Sequence, residues 1–272
     1  MTVADASIGV RLSEGLVLKG PLLPSAIARG LETLERLATV HHLATKRVRV
    51  VATAVLRNTC DPLPFTVPAE QILGHPIDII SGEEEARLTR DGAVEGIVGE
   101  TDWIILDIGG QSTEISWQEG GLWQSVSLEM GVVGLTEQYL DGDPPTPASM
   151  EEMRGAVRAI LRQSIPSGLE GGLLAVAGTA SSLGMLDQSL STWHREKIHG
   201  YRMSGDALRR WMAIMSSIPS GERQRHYGVR PVRADVFPAG ICVLEEVVRY
   251  VNQDGFTISA SGLRLGAALS IL

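Results

Sequence analysis

"LDIGGQSTEIS", residues 106–116, is the stretch on which the fold turns. Asp107 ends the apolar run of "DWIILDIGG", Gly109 and Gly110 follow, then Gln111-Ser112-Thr113, and Glu114 stands seven positions after Asp107. A buried strand that runs into glycines lets the backbone approach an anion closely, so that successive N–H groups can hold phosphate oxygens. The two acids admit two readings. Asp107 can make a turn hydrogen bond while Glu114 sits at the surface. Alternatively, both carboxylates face one cleft and hold a hard cation such as Mg²⁺ beside phosphate oxygens, with Ser112 and Thr113 adding hydroxyl contacts. Spacing does not choose between them.

Two further strand-to-turn junctions have the same small-residue character, "VATAVLRN" (51–58) and "AVAGTASS" (175–182). One Gly-Gly turn alone signifies little, but three such junctions in one α/β chain favour phosphate binding. Arg57 follows directly on the first strand, where a guanidinium could pair bidentately with phosphate or simply face solvent. "SGEEEAR" opens a helix with Glu83, Glu84 and Glu85, a first turn that complements the helix dipole. Successive helical residues point about 100° apart, so one of the three can face a cleft while its neighbours face water. "ERQRHYGVRPVRAD" gathers Arg223, Arg225, Arg230 and Arg233 with His226. That is either a basic patch for an extended anion or a solvated helix-loop face.

Around these motifs, helical and strand patterns alternate. "PSAIARGLETLERLATVHHL" puts Ile27, Leu31, Leu34 and Leu37 on one helical stripe, with Pro24 in its first turn. "RVRVVATA" and "IDIIS" read as strands, and "STEISWQEGGLWQSVSLEMG" as two strands joined at Glu119-Gly120-Gly121. A helix is predicted from about Pro147 to Ile165, then the strand of "GLLAVAGTASSLG". The rest reads as mostly helical, notably "SGDALRRWMAIMSSI" and "RADVFPAGICVLEEVVRYV", before a last strand "GFTISAS" and the helix "GLRLGAALSIL". This alternation defines an α/β protein.

Composition bounds the function. The 272 residues are 44% hydrophobic but only 4% aromatic, so Leu, Val, Ile and Ala must fill the cores. A net charge of −8 argues against a general nucleic-acid binder while allowing a small anionic substrate met by a metal or local arginines. Cys60 and Cys242 are the only cysteines, without metal-ligand spacing, and read as thiols of a reducing compartment. No signal peptide and no apolar run of membrane-spanning length is seen, so the reading is a cytoplasmic protein without membrane partners.

Taken in order, "VVATAVLRN", "GHPIDIISGEEEARL", "DIGGQSTEIS", "LEMGVVGLTEQYL", "VAGTASSL", "RADVFPAGICVLEEVV" and "SASGLRLGAAL" resemble the exopolyphosphatase/guanosine pentaphosphate phosphohydrolase (Ppx/GppA) family. That family belongs to the actin, Hsp70 and sugar-kinase superfamily. The resemblance implies a two-lobed actin-like α/β fold of ribonuclease H-like lobes. It implies residues 1–100 as a first lobe, 101–260 as a second with the phosphate loop, and 261–272 as a helix returning toward the first. With no Pro/Ser-rich linker in the sequence, the border itself is expected at a crossing of strands near Gly99–Asp102. The implied activity is hydrolysis of a terminal phosphoanhydride of inorganic polyphosphate or pppGpp, releasing orthophosphate. Glu85 would be the general base. Asp107 and Glu114 would hold Mg²⁺ or another divalent cation. The backbone of Gly109, Gly110, Gln111 and Ser112 would cradle the terminal phosphate, with Arg57, Gly178 and Thr179 adding contacts. A homodimer is the default for such folds.

Two departures from the family stand out. Gln111 occupies the place of a third glycine, which is tolerable at negative φ. The family's opening Asp-x-Gly-Ser-Asn-Ser loop has no counterpart, so the first lobe reads as N-terminally truncated. A catalytically impaired sensor that binds phosphate or nucleotide is therefore the alternative, and a superfamily kinase a weaker third reading.

Overall fold

Pro24–His41 forms a helix, α1, because Pro24 fits its first turn and Ile27, Leu31 and Leu34 supply an apolar stripe. His42, in the left-handed region at φ 52°, ends it. The chain then enters strand β1 (Val50–Ala52), helices α2 (Ala54–Asn58) and α3 (Leu63–Leu73), and strand β2 (Ile77–Ile79). β1 and β2 pair in parallel, Val51 opposite Asp78. Leu16, Leu22, Leu56, Phe65 and Ala69 make the small core of this part. These observations come from a computed structural model that describes residues 8–16, 19–98 and 102–272.

Met1–Ser81 is one compact unit and Gly82–Leu272 the other. The division falls earlier than the border suggested near Gly99–Asp102, of which residues 99–101 lie outside the described residues. Its physical basis is helix α4 (Gly82–Ala93), which packs on the C-terminal helix of its own unit and on that unit's sheet.

The second unit continues with strands β3 (Trp103–Ile108), β4 (Thr113–Glu119) and β5 (Leu122–Leu128), then helices α5 (Val132–Tyr139) and α6 (Pro147–Ser164). Strand β6 (Gly172–Val176) and helices α7 (Ala177–Asp187) and α8 (Arg195–Ile198) come next. After them come strand β7 (Tyr201–Ser204) and helices α9 (Gly205–Ser217), α10 (Ser220–Tyr227), α11 (Pro231–Ala234) and α12 (Phe237–Tyr250). Strand β8 (Gly255–Ile258) and helix α13 (Leu263–Leu269) end the chain. The sheet order is β5-β4-β3-β6-β8-β7, with β3, β6 and β8 parallel and the other neighbours antiparallel. The β4–β5 connection is a two-glycine turn, Gly120 and Gly121 both at positive φ, as a tight hairpin requires.

One sheet face carries the large core, with Ile104, Leu106, Ile115, Leu173 and Ala175 against α6, α9 and α12. The opposite face places Trp103, Ile105, Leu174 and Val176 against Ala93 of α4. Cys242 is buried in α12, and burial pushes its thiol up to about 12; Cys60 is exposed. Among the described residues no helix is long and apolar enough to cross a membrane.

Two details differ from the sequence reading. Strand β7 is four residues long at the sheet edge, too short to show a period of two against its helical surroundings. The predicted helix "RADVFPAGICVLEEVVRYV" is two helices, α11 and α12, because Pro238 fits only the first turn of a new helix.

Candidate active site

Glu85, Thr89 and Ala93 recur every four residues and so share one stripe of α4. Ala93 rests on Trp103 and Ile105 of β3, and the same face of that strand continues two residues on to Asp107. One turn back along the helix, Thr89 lies over Asp107 and its hydroxyl donates to the carboxylate at 3.3 Å. A further turn back is Glu85, buried at 6% exposure. Glu83 is exposed, and Glu84 is engaged by Arg87 at 2.8 Å, so Glu85 alone of the triplet is directed inward.

The strand register assembles the remaining acids. Asp107 of β3 stands opposite Glu114 of β4, which stands opposite Ser127 of β5. Directly opposed residues on antiparallel strands point to the same face. Ser127 donates its hydroxyl to Glu114 at 2.6 Å. Loss of hydration, and then the charge of Glu85, push the Asp107 carboxyl up to about 7, while Thr89 opposes the shift. Burial raises Glu114 to about 7 as well, with Glu85 and Asp107 adding repulsion and Ser127 and Ser112 opposing it. The surface-Glu reading is therefore excluded for Glu114, which is 3% exposed. Among the described residues no group of three or more His, Cys, Asp or Glu side chains is arranged to hold a metal by itself. Two converging carboxylates fit the way Mg²⁺ is usually held, by one or two carboxylates completed by phosphate oxygens and water.

The loop between the acids is anchored from behind. Val132 and Val133, at the start of α5, donate to the carbonyls of Gly109 and Gly110, and Gly131 donates to Gln111. Gly131 must be glycine, since an added Cβ would lie 2.2 Å from the Gln111 backbone. Gly109 spends its own N–H on the Ser112 carbonyl at 2.9 Å. The amides of Gly110, Gln111 and Ser112 make no such bond among the described residues, which leaves three consecutive donors for an anion. Gln111 is not among the residues at positive φ, so its side chain is carried without backbone strain.

Parallel pairing brings the second junction beside the first, because Asp107 is in register with Val176 at the end of β6. Ligands of open α/β sheets gather at such carboxyl ends. Ala177 takes a positive φ of 65° there. Gly178 itself does not, and its lack of a side chain serves Arg233, whose guanidinium would be only 2.1 Å from an added Cβ. Arg233 donates to the Gly178 carbonyl at 3.2 Å. Burial, and then the nearby charges of Arg230 and Arg264, hold it down to about 10. Thr179 turns its side chain to α12, packing on Gly240, and can offer an anion its first-turn amide.

Of the basic segment singled out in the sequence, Arg225, His226 and Arg230 are exposed and Arg233 is half-buried over Gly178. Arg223 is not part of a surface patch: it is 1% exposed and bonded to main-chain carbonyls. Arg57 lies in the first unit, in the last turn of α2, where it donates to the Ile80 carbonyl at 2.8 Å. Arg264, Thr89 and Ser127 escape a sequence reading, because nothing local marks a residue whose partner lies on a distant strand or helix.

The mixed-sheet α/β architecture is that of the actin-like two-lobed class. The chain belongs to the Ppx/GppA phosphatase family, which it matches over residues 1–272, and is thus a phosphate-releasing hydrolase with that family's actin-like two-lobed fold. It is 33% identical to exopolyphosphatase 2 of Mycobacterium tuberculosis over 96% of this chain and 86% of that protein. Its structure is similar to the PPX-GPPA enzyme of Aquifex aeolicus, with a TM-score of 0.78 and 25% identity over 92% of this chain and 84% of that one. An exopolyphosphatase from Cytophaga hutchinsonii shares the fold, with a TM-score of 0.84 and 22% identity over 96% of this chain and 86% of that one.

Proposed function

We propose that the chain hydrolyses the terminal phosphoanhydride of inorganic polyphosphate, releasing orthophosphate and a chain one unit shorter, and that pppGpp is its second substrate. The observation that carries this reading is that Asp107 and Glu114, within the field of Glu85, flank a loop whose Gly110, Gln111 and Ser112 amides make no backbone bond among the described residues. The relative named exopolyphosphatase 2 supports polyphosphate as the first substrate to test.

In this mechanism the amides of Gly110, Gln111 and Ser112 hold the oxygens of the terminal phosphoryl group. Glu85 orients a water on the far side from the leaving oxygen and takes its proton as the new P–O bond forms. The bridging P–O bond breaks, and the electron pair leaves with the shortened chain. Asp107 and Glu114 would hold a divalent cation, which supplies charge neutralisation to the phosphoryl oxygens when bound. Thr89 and Ser127 keep the two carboxylates aimed. Arg233, with Arg230 and Arg264 beside it, provides the positive field for the inner phosphates. Arg57 is assigned a phosphate contact on the family resemblance alone.

The test is phosphate release from polyphosphate and from pppGpp with Mg²⁺ or Mn²⁺, for wild type and Glu85→Gln. Loss of about 10²–10⁴-fold in kcat with binding retained is expected for a general base. Full activity in Glu85→Gln would remove the base assignment. Tight binding of either substrate without turnover in the wild type would make the protein a sensor instead.

A further inference from the structure

Arg223 heads the fully buried side chains in size, at 1% exposure. A guanidinium stays charged at any ordinary pH, so burying one is unfavourable unless its donors are satisfied. Nε donates to the Met215 carbonyl and Nη1 to the Ala234 carbonyl, each at 2.7 Å. Both carbonyls lie in the last turns of helices, α9 and α11, where unpaired C=O groups and the negative dipole end attract a cation. Asp143 approaches Nη1 at 3.5 Å while both its oxygens accept from the Ser220 N–H, at the start of α10. Nη2 has no hydrogen-bond partner among the described residues. An apolar side chain of similar length would avoid that orphan donor, but could not join the two carbonyls.

The joined carbonyls matter because of the residue beside Ala234. That neighbour is Arg233, whose guanidinium lies across Gly178 at the end of β6. We propose that Arg223 is a positioning residue for substrate binding: by tying the Ala234 carbonyl to the end of α9 it holds the 228–236 segment so that Arg233 stays over Gly178. It has no part in the chemistry and touches no substrate. The inference rests on the reading of Arg233 as a contact for the inner phosphates.

The test is a double-variant cycle of Arg223→Met and Arg233→Met, with polyphosphate hydrolysis measured well below each protein's melting temperature. Loss of a charge-assisted contact predicts that each single variant raises KM about tenfold with kcat within about twofold. Because Arg223 acts through Arg233, the double variant is expected within about twofold of Arg233→Met alone. Arg223→Lys, which reaches one carbonyl, should fall between wild type and Arg223→Met. An unchanged KM in Arg223→Met, or a double variant about a hundredfold above wild type as independent effects would give, overturns the positioning role. An unchanged KM in Arg233→Met instead removes the phosphate-contact reading itself. Failure of both Arg223→Met and Arg223→Lys to melt cooperatively would make Arg223 a folding residue only, and also overturns the inference.

Discussion

Asp107 and Glu114 are opposed on neighbouring strands, short of hydration and within the field of Glu85, and each is raised to about 7 from ordinary values of 3.8 and 4.5. A raised folded-state pKa favours the protonated form, so the stability these groups contribute is complete below about pH 4. It is lost as pH climbs through about 7. In metal-free buffer, melts of the wild type should therefore fall across that window. Asp107→Asn should flatten the decline and melt a few degrees above wild type at pH 7.5, since about 1 kcal/mol moves a chain of this size by about 2–4 °C. Mn²⁺ should raise the wild-type melt at that pH and leave the variant unmoved. A variant that melts below wild type without metal would mean that the lost hydration of Asp107 and the field of Glu85 do not govern its stability. At this scale the sequence says that an acid triplet lies beside a glycine loop flanked by acids. It does not say which glutamate turns inward, because that depends on the strand face α4 covers. Thr89 and Ala93 settle it through contacts with β3, which no local pattern records.

Helix α4 holds Glu85 in place because α13 lies almost against its backbone. A Cβ on Gly266 would come within 1.8 Å of the Leu88 carbonyl, and one on Gly92 within 2.2 Å of the Gly262 carbonyl. Main-chain atoms cannot swing aside as a flexible side chain can, so Gly266→Ala must separate the two helices. Overpacking of this kind is destabilising by about 1–3 kcal/mol. The variant should show that loss in urea unfolding together with a reduced kcat, as Glu85 shifts with its helix. Gly178→Ala is the contrasting case. The atoms in its way are the mobile end of Arg233, so its melt should stay near wild type while KM for polyphosphate rises about tenfold. A melt lowered as much as that of Gly266→Ala, with KM unchanged, would show that Gly178 serves packing rather than Arg233. Amphipathic stripes and strand-to-glycine junctions are legible as elements because their signal is local and periodic. Helix contacts made through glycine carry no such signal, and the four residues of β7 are too few to establish a period.

The two units differ in how much structure supports them. Among the described residues the first has a two-stranded parallel sheet of three-residue strands over a core cluster of five buried apolar side chains, while the second has a six-stranded sheet with both faces covered. Parallel pairing needs burial on both faces to be robust, and two strands alone are marginal. Regions with few buried apolar contacts open at lower free energy than the global unfolding transition. Native-state hydrogen exchange should accordingly find the amides of Val50–Ala52 and Ile77–Ile79 exchanging at least about tenfold faster than those of β3 and β6. The α/β class follows from alternation alone, but this imbalance does not, since strand length and core size emerge only when the strands are paired. Equal protection in the two units would mean that the first draws stability from contacts beyond its own core.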